Sequence, residues 1–290
     1  MTDKKKPTGT GKLIASIALY FVGELLAIIL AIFDSTKFTW TMAIAMFVYG
    51  VAILGLVCAL GGKDIAKPTL KGTKECWKLC WLLLAVAVAD NVFDIVVNAL
   101  QGKFLAVEPG WPVRALMIAV YCLGIGMNEE ASYRGIVQNG VLARFGQTKR
   151  GMVAAVAVTF VAFGLVHVLG SPLSTPLTAT QWVLKFLQTG LISVAFSAVV
   201  IQTRTLWPAI IFHATYDFVS FFMETGLSNG NAPQGDYIQT TENAMELLPA
   251  IIQFVVIIAL SVPVVISAVR IIRDAPVPDR GAFMPSDMDE

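Results

Sequence analysis

The chain contains a succession of apolar runs, each close to the ~20 residues that an α-helix needs to cross the hydrocarbon of a bilayer. Charge is correspondingly scarce, since 56% of the 290 residues are hydrophobic and 14% are charged. A soluble domain has about a quarter of its residues charged, so these charges are too few to cover a soluble globule. Backbone polar groups in lipid must pair within the segment, and the runs lack the alternation of a barrel. The sequence therefore predicts an all-α, polytopic integral membrane protein.

The apolar runs divide the chain into about eight spans. Residues 1–12 form a basic N-terminus, and the run that follows is too long for a signal peptide, so we interpret it as an uncleaved first span. Residues 13–273 are then an eight-helix membrane domain, and residues 274–290, rich in Pro and Asp, are predicted to be a disordered tail. The predicted spans are 13–33, 40–60, 77–100, 113–145, 151–169, 182–203, 206–223 and 247–270. The fourth is too long for a simple span and is expected to run on past the interface.

Lysine and arginine predict the orientation of these spans, because cytoplasmic loops carry an excess of both. With the N-terminus inside, the inner side holds Lys4, Lys5, Lys6, Lys12, Lys63, Lys67, Lys71, Lys74, Lys78, Arg144, Lys149, Arg150, Arg204, Arg270, Arg273 and Arg280. The outer side holds only Lys37, Lys103, Arg114 and Lys185. We therefore predict that both termini are cytoplasmic, that the membrane is the cell membrane, and that the outer loop 224–246 is acidic.

Other classes of protein fit the sequence poorly. The net charge is +1, and there is no basic stripe with interleaved aromatic residues, which argues against a nucleic-acid partner. The four cysteines lie within or beside apolar runs, so we expect small buried residues rather than a disulfide framework or a metal site. They are Cys58, Cys76, Cys80 and Cys122.

Charged side chains at membrane depth are rare, and each one is a candidate for function. Glu129, Glu130 and Arg134 follow the apolar run 113–127 without a loop signal. Glu130 and Arg134 are four residues apart, so they are expected to pair on one helix face. Glu129 is rotated by about 100° from Glu130 and points elsewhere. A structural ion pair with a spare carboxylate is the alternative interpretation.

Both histidines of the chain also lie in apolar spans. His167 ends the segment Phe163-Gly164-Leu165-Val166-His167, and His213 precedes Asp217 by four residues, on the same helix face. A carboxylate at that spacing is expected to fix the tautomer of the imidazole or to raise its basicity. A single histidine on an apolar face is usually a core residue, but two histidines beside buried acidic groups favour a site.

Two carboxylates, two histidines and a further acid in a membrane cavity suit hydrolysis. Glu129, which lacks an arginine at i+4, is the better candidate for a general base that activates water. His167 would hold that water, and His213 would stabilise the developing oxyanion. A glutamate mechanism of this kind needs no cofactor. Zinc is the alternative, with Glu129, His167, His213 and Asp217 as ligands and one position left for water, although no His-Glu-x-x-His pair is present.

A further polar stripe lies in the third predicted span. Asp90, Asp94 and Asn98 recur at i, i+4 and i+8, and Asn91 lies beside them. The stripe is expected to bond neighbouring helices, to line the substrate cavity, or to serve transport. Glu24 in the first span is a similar, weaker case.

The charged groups resemble the motifs of the CPBP family, which comprises CAAX prenyl proteases and bacteriocin-processing enzymes and is also called the ABI family. Its pattern is Glu-Glu-x-x-x-Arg, then Phe-x-x-x-His, then His-x-x-x-Asn or Asp. This sequence has Glu129-Glu130-x-x-x-Arg134, Phe163-x-x-x-His167 and His213-x-x-x-Asp217 in the same order. The resemblance covers about residues 113–223, and the number of spans also resembles the family.

The resemblance implies an eight-helix intramembrane endopeptidase acting on a membrane-associated protein or peptide. Glu129 and His167 match the pair that positions the catalytic water, Glu130 and Arg134 match supporting residues, and His213 and Asp217 match the oxyanion pair. An ionised Asp cannot donate a hydrogen bond, so Asp217 would be protonated, orient His213 or bind a metal. Two alternatives stay open: a non-enzymatic immunity or scaffold protein of the same fold, and a transporter.

Overall fold

A computed structural model describes residues 9–30, 37–100, 102, 106–227, 238 and 244–277. It is all-helical, and seven of its helices are long and apolar enough to cross a membrane. The prediction of an all-α polytopic membrane protein is therefore confirmed. The α-helices are α1 Gly9–Leu30, α2 Trp40–Ala59, α3 Lys63–Ala66, α4 Thr73–Leu100, α5 Trp111–Glu130, α6 Asn139–Phe145, α7 Lys149–Val166, α8 Pro176–Thr203, α9 Trp207–Phe221 and α10 Ala244–Asp274. Two π-helical segments, π1 Ala131–Gln138 and π2 Phe222–Leu227, follow α5 and α9.

Several helices begin where the sequence offers a cap. The side chains of Thr39, Thr148 and Thr175 accept hydrogen bonds from the first turns of α2, α7 and α8. Such caps satisfy backbone N–H groups that have no partner within the helix. The predicted long fourth span is α5, π1 and α6 in one continuous helix of 35 residues, Trp111–Phe145.

The predicted span 206–223 is the helix α9, which has only 15 residues before π2 continues it. Its first end is bonded to the short helix α3, which precedes α4, since the N–H of Leu206 donates to the carbonyl of Ile65 at 2.9 Å. Its far end is bonded to the loop after α4, where the N–H of Glu108 donates to the carbonyl of Leu227 at 2.9 Å. The unit α9–π2 therefore runs between the two segments that flank α4, and at about 1.5 Å per residue it is about 30 Å long.

The helix α5 lies at the centre of the fold, between α2 and α9. Two of its glycines make that packing close. A Cβ added at Gly124 would lie 2.6 Å from the backbone of Met46 on α2, and one at Gly126 would lie 2.7 Å from the carbonyl oxygen of Ile210 on α9. Membrane helices approach closely where their contact residues are small, because no side chain separates the backbones. The glycines thus bring the end of α5 against the middle of α9.

The sequence analysis assigned Lys185 to the outer side, and the structure adds the surroundings of its side chain. Lys185 lies well inside α8 and is only 8% exposed.

The residues of the polar stripe on α4 have different surroundings. The side chain of Gln253 on α10 donates to Asp90 at 2.7 Å, whereas Asp94 and Asn98 lie on the exposed surface of the helix. All four cysteines are free, and Cys76, Cys80 and Cys122 are buried.

Some predictions lie outside the described residues. They concern the basic residues Lys4, Lys5 and Lys6, most of the acidic loop 224–246, and residues 278–290 of the predicted tail.

Candidate active site

The carboxylate of Glu130 is the centre of a buried polar network. Its Oε1 accepts a hydrogen bond from Nη1 of Arg134 at 3.0 Å, so the predicted i, i+4 pair is present. The same oxygen lies 2.8 Å from Nδ1 of His213 on α9. Glu130 and Arg134 are both fully buried. Because a carboxylate oxygen accepts, Nδ1 of His213 must carry the hydrogen, and Glu130 therefore fixes how that ring is oriented.

The other nitrogen of His213 faces two further carboxylates. Nε2 lies 3.6 Å from Oε2 of Glu129 and 3.6 Å from Oδ2 of Asp217. Both distances exceed a hydrogen bond, which for N–H···O is about 2.7–3.2 Å. Nδ1 of His213 is paired with Glu130, from a different helix, and not with Asp217. Of the two roles expected for the i+4 carboxylate, an effect on the basicity of the ring therefore stays a prediction.

The segment π1 begins directly after Glu130 and carries Arg134. Single π-helical turns inside α-helices are rare and frequently occur at functional sites. The wider turn leaves backbone carbonyls without their usual partners, and the side chain of Asn139 donates to the carbonyl of Arg134 at 2.9 Å. Nη2 of Arg134 also donates to the carbonyl of Ser193 on α8 at 3.2 Å. Arg134 thus joins the central helix to α8 as well as to Glu130.

Two phenylalanines frame the charged groups. The guanidinium of Arg134 lies 4.7 Å from the ring centre of Phe163 and 5.4 Å from that of Phe196. The imidazole of His213 stacks on Phe196 with ring centres 5.1 Å apart. A cation over an aromatic face is attracted by the ring quadrupole, more strongly where water is excluded. The two rings therefore pack against the guanidinium and the imidazole and exclude water around them.

His167 packs against Phe163, one of these two phenylalanines. The sequence analysis placed His167 within an apolar span. In the structure it directly follows α7 and caps the C-terminus of that helix. Its ring is 4.5 Å from that of Phe163, which in turn is 6.2 Å from the ring of His213. Nδ1 lies 2.8 Å from the carbonyl oxygen of Phe163 and must donate to it, so in the neutral ring Nε2 is the acceptor nitrogen.

The six predicted site residues thus converge from three separate stretches of the chain. Five of them, namely Glu129, Glu130, Arg134, His213 and Asp217, share one network of polar contacts. His167 adjoins this network through Phe163. The charged side chains differ in their exposure to solvent. Those of Glu129 and Asp217 are 21% and 14% exposed, whereas those of Glu130 and Arg134 are 0% exposed. The side chain of Glu129 thus reaches the surface in part, with its Oε2 buried and without a hydrogen-bond partner, and the Glu130–Arg134 pair can only act through other groups.

The geometry also bears on the predicted alternative of a zinc site. Nε2 of His213 faces Glu129 and Asp217 on one side, but in the part of the chain that the structure describes no three His, Cys, Asp or Glu side chains are arranged to hold a metal ion. Since Nδ1 of His213 is occupied by Glu130, a metal would have to bind at Nε2 and draw the two carboxylates inward. As they are arranged, these side chains do not fit a metal ion.

Sequence reasoning missed three contributors to the site. The carbonyl of Ser193 and the ring of Phe196 carry no signal in the sequence, because an ordinary apolar helix supplies both. Lys185 did carry a signal, since it is an ionisable residue within a predicted span. Lys185 is only 8% exposed and lies on α8, the helix that also carries Ser193 and Phe196.

Comparison with known proteins identifies the domain that carries this site. Residues 110–219 match the family described as Type II CAAX prenyl endopeptidase Rce1-like. The matched stretch contains Glu129, Glu130, Arg134, His167, His213 and Asp217. No curated protein and no solved structure matches the chain.

Proposed function

We propose that this chain, whose residues 110–219 are an Rce1-like domain of the CPBP family, is an intramembrane endopeptidase that hydrolyses a peptide bond in a membrane-associated protein or peptide. One observation carries the proposal. The buried Glu130–Arg134 pair holds Nδ1 of His213, so that Nε2 is directed toward the more exposed carboxylate of Glu129. A rigid imidazole facing an accessible carboxylate is what activation of water beside a carbonyl group requires.

Glu129 is the general base in this mechanism. Its carboxylate takes a proton from water, and the hydroxide forms a bond to the carbonyl carbon of the peptide. The carbonyl π electrons move to oxygen, which gives a tetrahedral oxyanion. When the C–N bond breaks, the leaving nitrogen takes the proton from Glu129, and a carboxylic acid and an amine are released. The base returns to its ionised state, so the reaction consumes only water.

His213 stabilises the oxyanion through Nε2. Its Nδ1–H is already donated to Glu130, so only the doubly protonated ring offers a second N–H. The imidazolium is compatible with its surroundings, because the carboxylates of Glu129, Glu130 and Asp217 all face it. An oriented donor of this kind stabilises charge that develops in the transition state without having to reorganise.

His167 and Asp217 have supporting roles in the proposal. The acceptor nitrogen of His167 orients the attacking water, because Nδ1 is held by the carbonyl of Phe163. Asp217 keeps the imidazolium of His213 charged by facing Nε2 from the side opposite to the Nδ1 contact. In this proposal Asp217 acts as an ionised carboxylate beside Nε2, and Glu130 orients the ring.

The protein is an integral membrane protein, and we further propose that it lies in the cell membrane with both termini cytoplasmic. The excess of basic residues on one side supports the orientation. The path of α9–π2 between the two segments that flank α4 supports an even number of crossings. In the described residues, seven long spans and this shorter one make eight, which supports the proposal that the two termini share one side.

A comparison of protein termini by mass spectrometry tests the function without any assumption about the substrate. Cells express the native chain or Glu129→Gln at matched levels in the membrane, and Glu75→Gln is the control because Glu75 is an exposed glutamate at the start of α4. We expect new protein termini with the native chain and with Glu75→Gln. Their yield should fall at least ~100-fold with Glu129→Gln, since general base catalysis contributes about that much or more.

The outcomes separate the proposal from its alternative. Termini that depend on Glu129 name the substrate and the bond that is cut. If the three sets of termini are identical while all three chains are folded and inserted, the chain is not a protease, and the immunity or scaffold interpretation takes its place.

A further inference from the structure

A cleft at one end of the bundle lies apart from the proposed active site. It is formed where α4 begins and where α8 and α10 end, three helices in mutual contact, and its volume is ≈510 Å³. Lys78 of α4 and Arg270 of α10 both line it, and we call it the Lys78–Arg270 cleft. Both residues belong to the basic set that predicts the cytoplasmic side. The cleft is therefore at the end of the bundle that we expect to face the cytoplasm.

The lining of this cleft changes from charged to apolar along its length. Lys78 lies in the second turn of α4, and Arg270 lies in the second turn from the end of α10. Leu82 and Pro263 line the cleft from the same two helices. At 1.5 Å per residue, Leu82 lies about 6 Å deeper than Lys78, and Pro263 lies about 10 Å deeper than Arg270. The cleft thus leads from two cations at the helix ends toward the hydrocarbon.

The two cations of the cleft are open to a partner. Lys78 and Arg270 are exposed, and in the described part of the chain neither forms an ion pair. A second cleft of ≈510 Å³ on the opposite side of α10 provides a contrast. Its Arg273 pairs with Asp274 at 2.8 Å, and its Lys149 donates to a backbone carbonyl. An anion would compete with those contacts in the second cleft, whereas the first cleft offers it two cations without such competition.

The charge of the first cleft suits a ligand with a single negative charge. The exposed carboxylate of Glu75 also lines it, so its two cations and one anion give a net charge of +1. A phosphodiester carries one negative charge, and the exposed amide of Gln202 can donate a hydrogen bond to a phosphate oxygen. The indole of Trp81 lines the cleft and is 58% exposed, and tryptophan is enriched at the level of lipid headgroups. A monoanion joined to an apolar chain matches both parts of the lining.

We propose that the Lys78–Arg270 cleft binds one anionic phospholipid, with its phosphodiester between Lys78 and Arg270 and an acyl chain along Leu82 and Pro263. Basic pockets between membrane helices on the cytoplasmic side bind anionic headgroups. The lipid contacts α4, α8 and α10 together and so stabilises the packing of α10 on the bundle. A ligand that binds only the folded chain raises its unfolding temperature. The inference does not depend on the protein being a protease.

Lipid binding to the purified full-length chain in detergent tests the site. The chain is titrated with phosphatidylglycerol, with phosphatidylcholine of the same acyl chains, or with glycerophosphoglycerol, which is the headgroup without acyl chains. Native mass spectrometry counts the bound lipids, and the midpoint of thermal unfolding gives the affinity. The variants are Lys78→Gln, Arg270→Gln and both together. Lys149→Gln combined with Arg273→Gln removes two positive charges from the second cleft and is the matched control.

We expect the native chain to retain one phosphatidylglycerol and to gain a higher midpoint, which phosphatidylcholine at the same concentration does not produce. Each single substitution should raise the dissociation constant for phosphatidylglycerol about fivefold, and both together about 25-fold, because each basic residue at the membrane surface attracts an anionic lipid by a similar amount. The control variant should bind like the native chain. Without lipid, all variants should keep the native midpoint, since the replaced side chains are exposed.

Three results would overturn the inference. Equal binding of the two lipids would show that the cleft accepts any acyl chain. A loss of affinity in the control variant as large as that in the Lys78→Gln and Arg270→Gln double variant would show a general effect of surface charge. A midpoint raised as far by glycerophosphoglycerol as by the lipid would make the cleft a site for soluble anions. Failure of the proposed function would change none of these readouts, because none of them uses the reaction.

Discussion

Three carboxylates face one imidazole, and their surroundings give each a different task. Glu130 is sealed between Arg134 and His213, Asp217 is slightly exposed, and Glu129 is the most exposed of the three. A group that must transfer a proton to and from a substrate has to be reachable, whereas a group that orients a ring is best held rigid. The difference between adjacent residues Glu129 and Glu130 follows from the rotation of the helix by about 100° between them.

This difference predicts that the two glutamates will respond differently to the same substitution. Glu130→Gln leaves the fully buried guanidinium of Arg134 without a counter-charge, and breaking a buried ion pair in this way costs about 3–5 kcal/mol. Glu129→Gln removes one of three clustered carboxylates at a partly exposed position and is expected to change stability little. Unfolding midpoints in detergent, measured for both chains, should fall only for Glu130→Gln.

The exposed glutamate Glu75 provides the reference for this comparison, because its replacement by Gln alters neither a pair nor a buried group. Equal midpoints for the Glu130 and Glu129 variants would show that the buried pair does not stabilise the fold. Our assignment of Glu130 and Arg134 as a structural support for His213 would then be wrong.

At the residue scale, spacing predicted those contacts that lie within one helix. The pairing of Glu130 with Arg134 follows from four residues of separation, and the structure has it at 3.0 Å. The contact between Glu130 and His213 could not be predicted, because it joins α5 to α9 and depends on how closely these helices approach. The burial of Lys185 was not predicted, because it depends on how α8 packs against the neighbouring helices.

At the scale of the element, the close contact of α5 with α9 determines whether Glu130 reaches His213. Gly126 lies one turn before Glu130, and its missing side chain allows the backbone of α9 to pack directly on α5. The hydrogen bond from His213 to Glu130 is 2.8 Å long, so little separation of the helices is tolerated before it is lost.

We therefore predict that Gly126→Ala destabilises the protein and reduces its activity. The new Cβ would lie 2.7 Å from the carbonyl oxygen of Ile210, a backbone atom that cannot move aside without shifting α9. Overpacking of this kind typically costs about 1–3 kcal/mol. The unfolding midpoint and the yield of Glu129-dependent termini should both fall.

Gly55→Ala is the matched control, since Gly55 lies in the middle of α2 and a Cβ there meets nothing within 4 Å. Alanine is the better helix former by about 1 kcal/mol, so this variant should be at least as stable as the native chain. A Gly126→Ala chain that is equally stable and active would mean that the close approach of α5 and α9 is not needed for the site.

The lengths of the apolar runs predicted the long helices well. They did not predict where a helix departs from regular α-helical geometry or ends early. The boundaries of α2 and α4 agree with the predicted spans to within a few residues. The segment π1 was not predicted, because one wider turn does not alter the hydrophobic pattern of a helix. The end of α7 at Val166 was missed for a similar reason, since the apolar sequence continues past His167 while the helix does not.

At the scale of the whole molecule, hydrogen bonds to the segments that flank α4 identify two opposite ends of the bundle. Before α4, the short helix α3 is bonded to the start of α9, because Nε1 of Trp207 donates to the carbonyl of Ala66 at 2.8 Å. After α4, the loop that leads to α5 is bonded to the end of π2, because the N–H of Glu108 donates to the carbonyl of Leu227 at 2.9 Å. The short unit α9–π2 thus extends between the same two ends as the long helix α4, which composition alone could not show.

This arrangement gives a sharp test of orientation, with one exposed residue in each of the two loops. Leu70 is 75% exposed in the loop before α4, and Val107 is 60% exposed in the loop after it. In a chain whose four native cysteines are replaced by alanine, we introduce Leu70→Cys or Val107→Cys and treat intact cells with a membrane-impermeant maleimide. Because basic residues favour the cytoplasmic side, we expect Val107→Cys to be labelled in intact cells and Leu70→Cys only after permeabilisation. Both cysteines should react in detergent, which controls for their accessibility.

The reverse pattern would invert the proposed orientation and place both termini outside. Labelling of both cysteines in intact cells would mean that α4 does not cross the membrane.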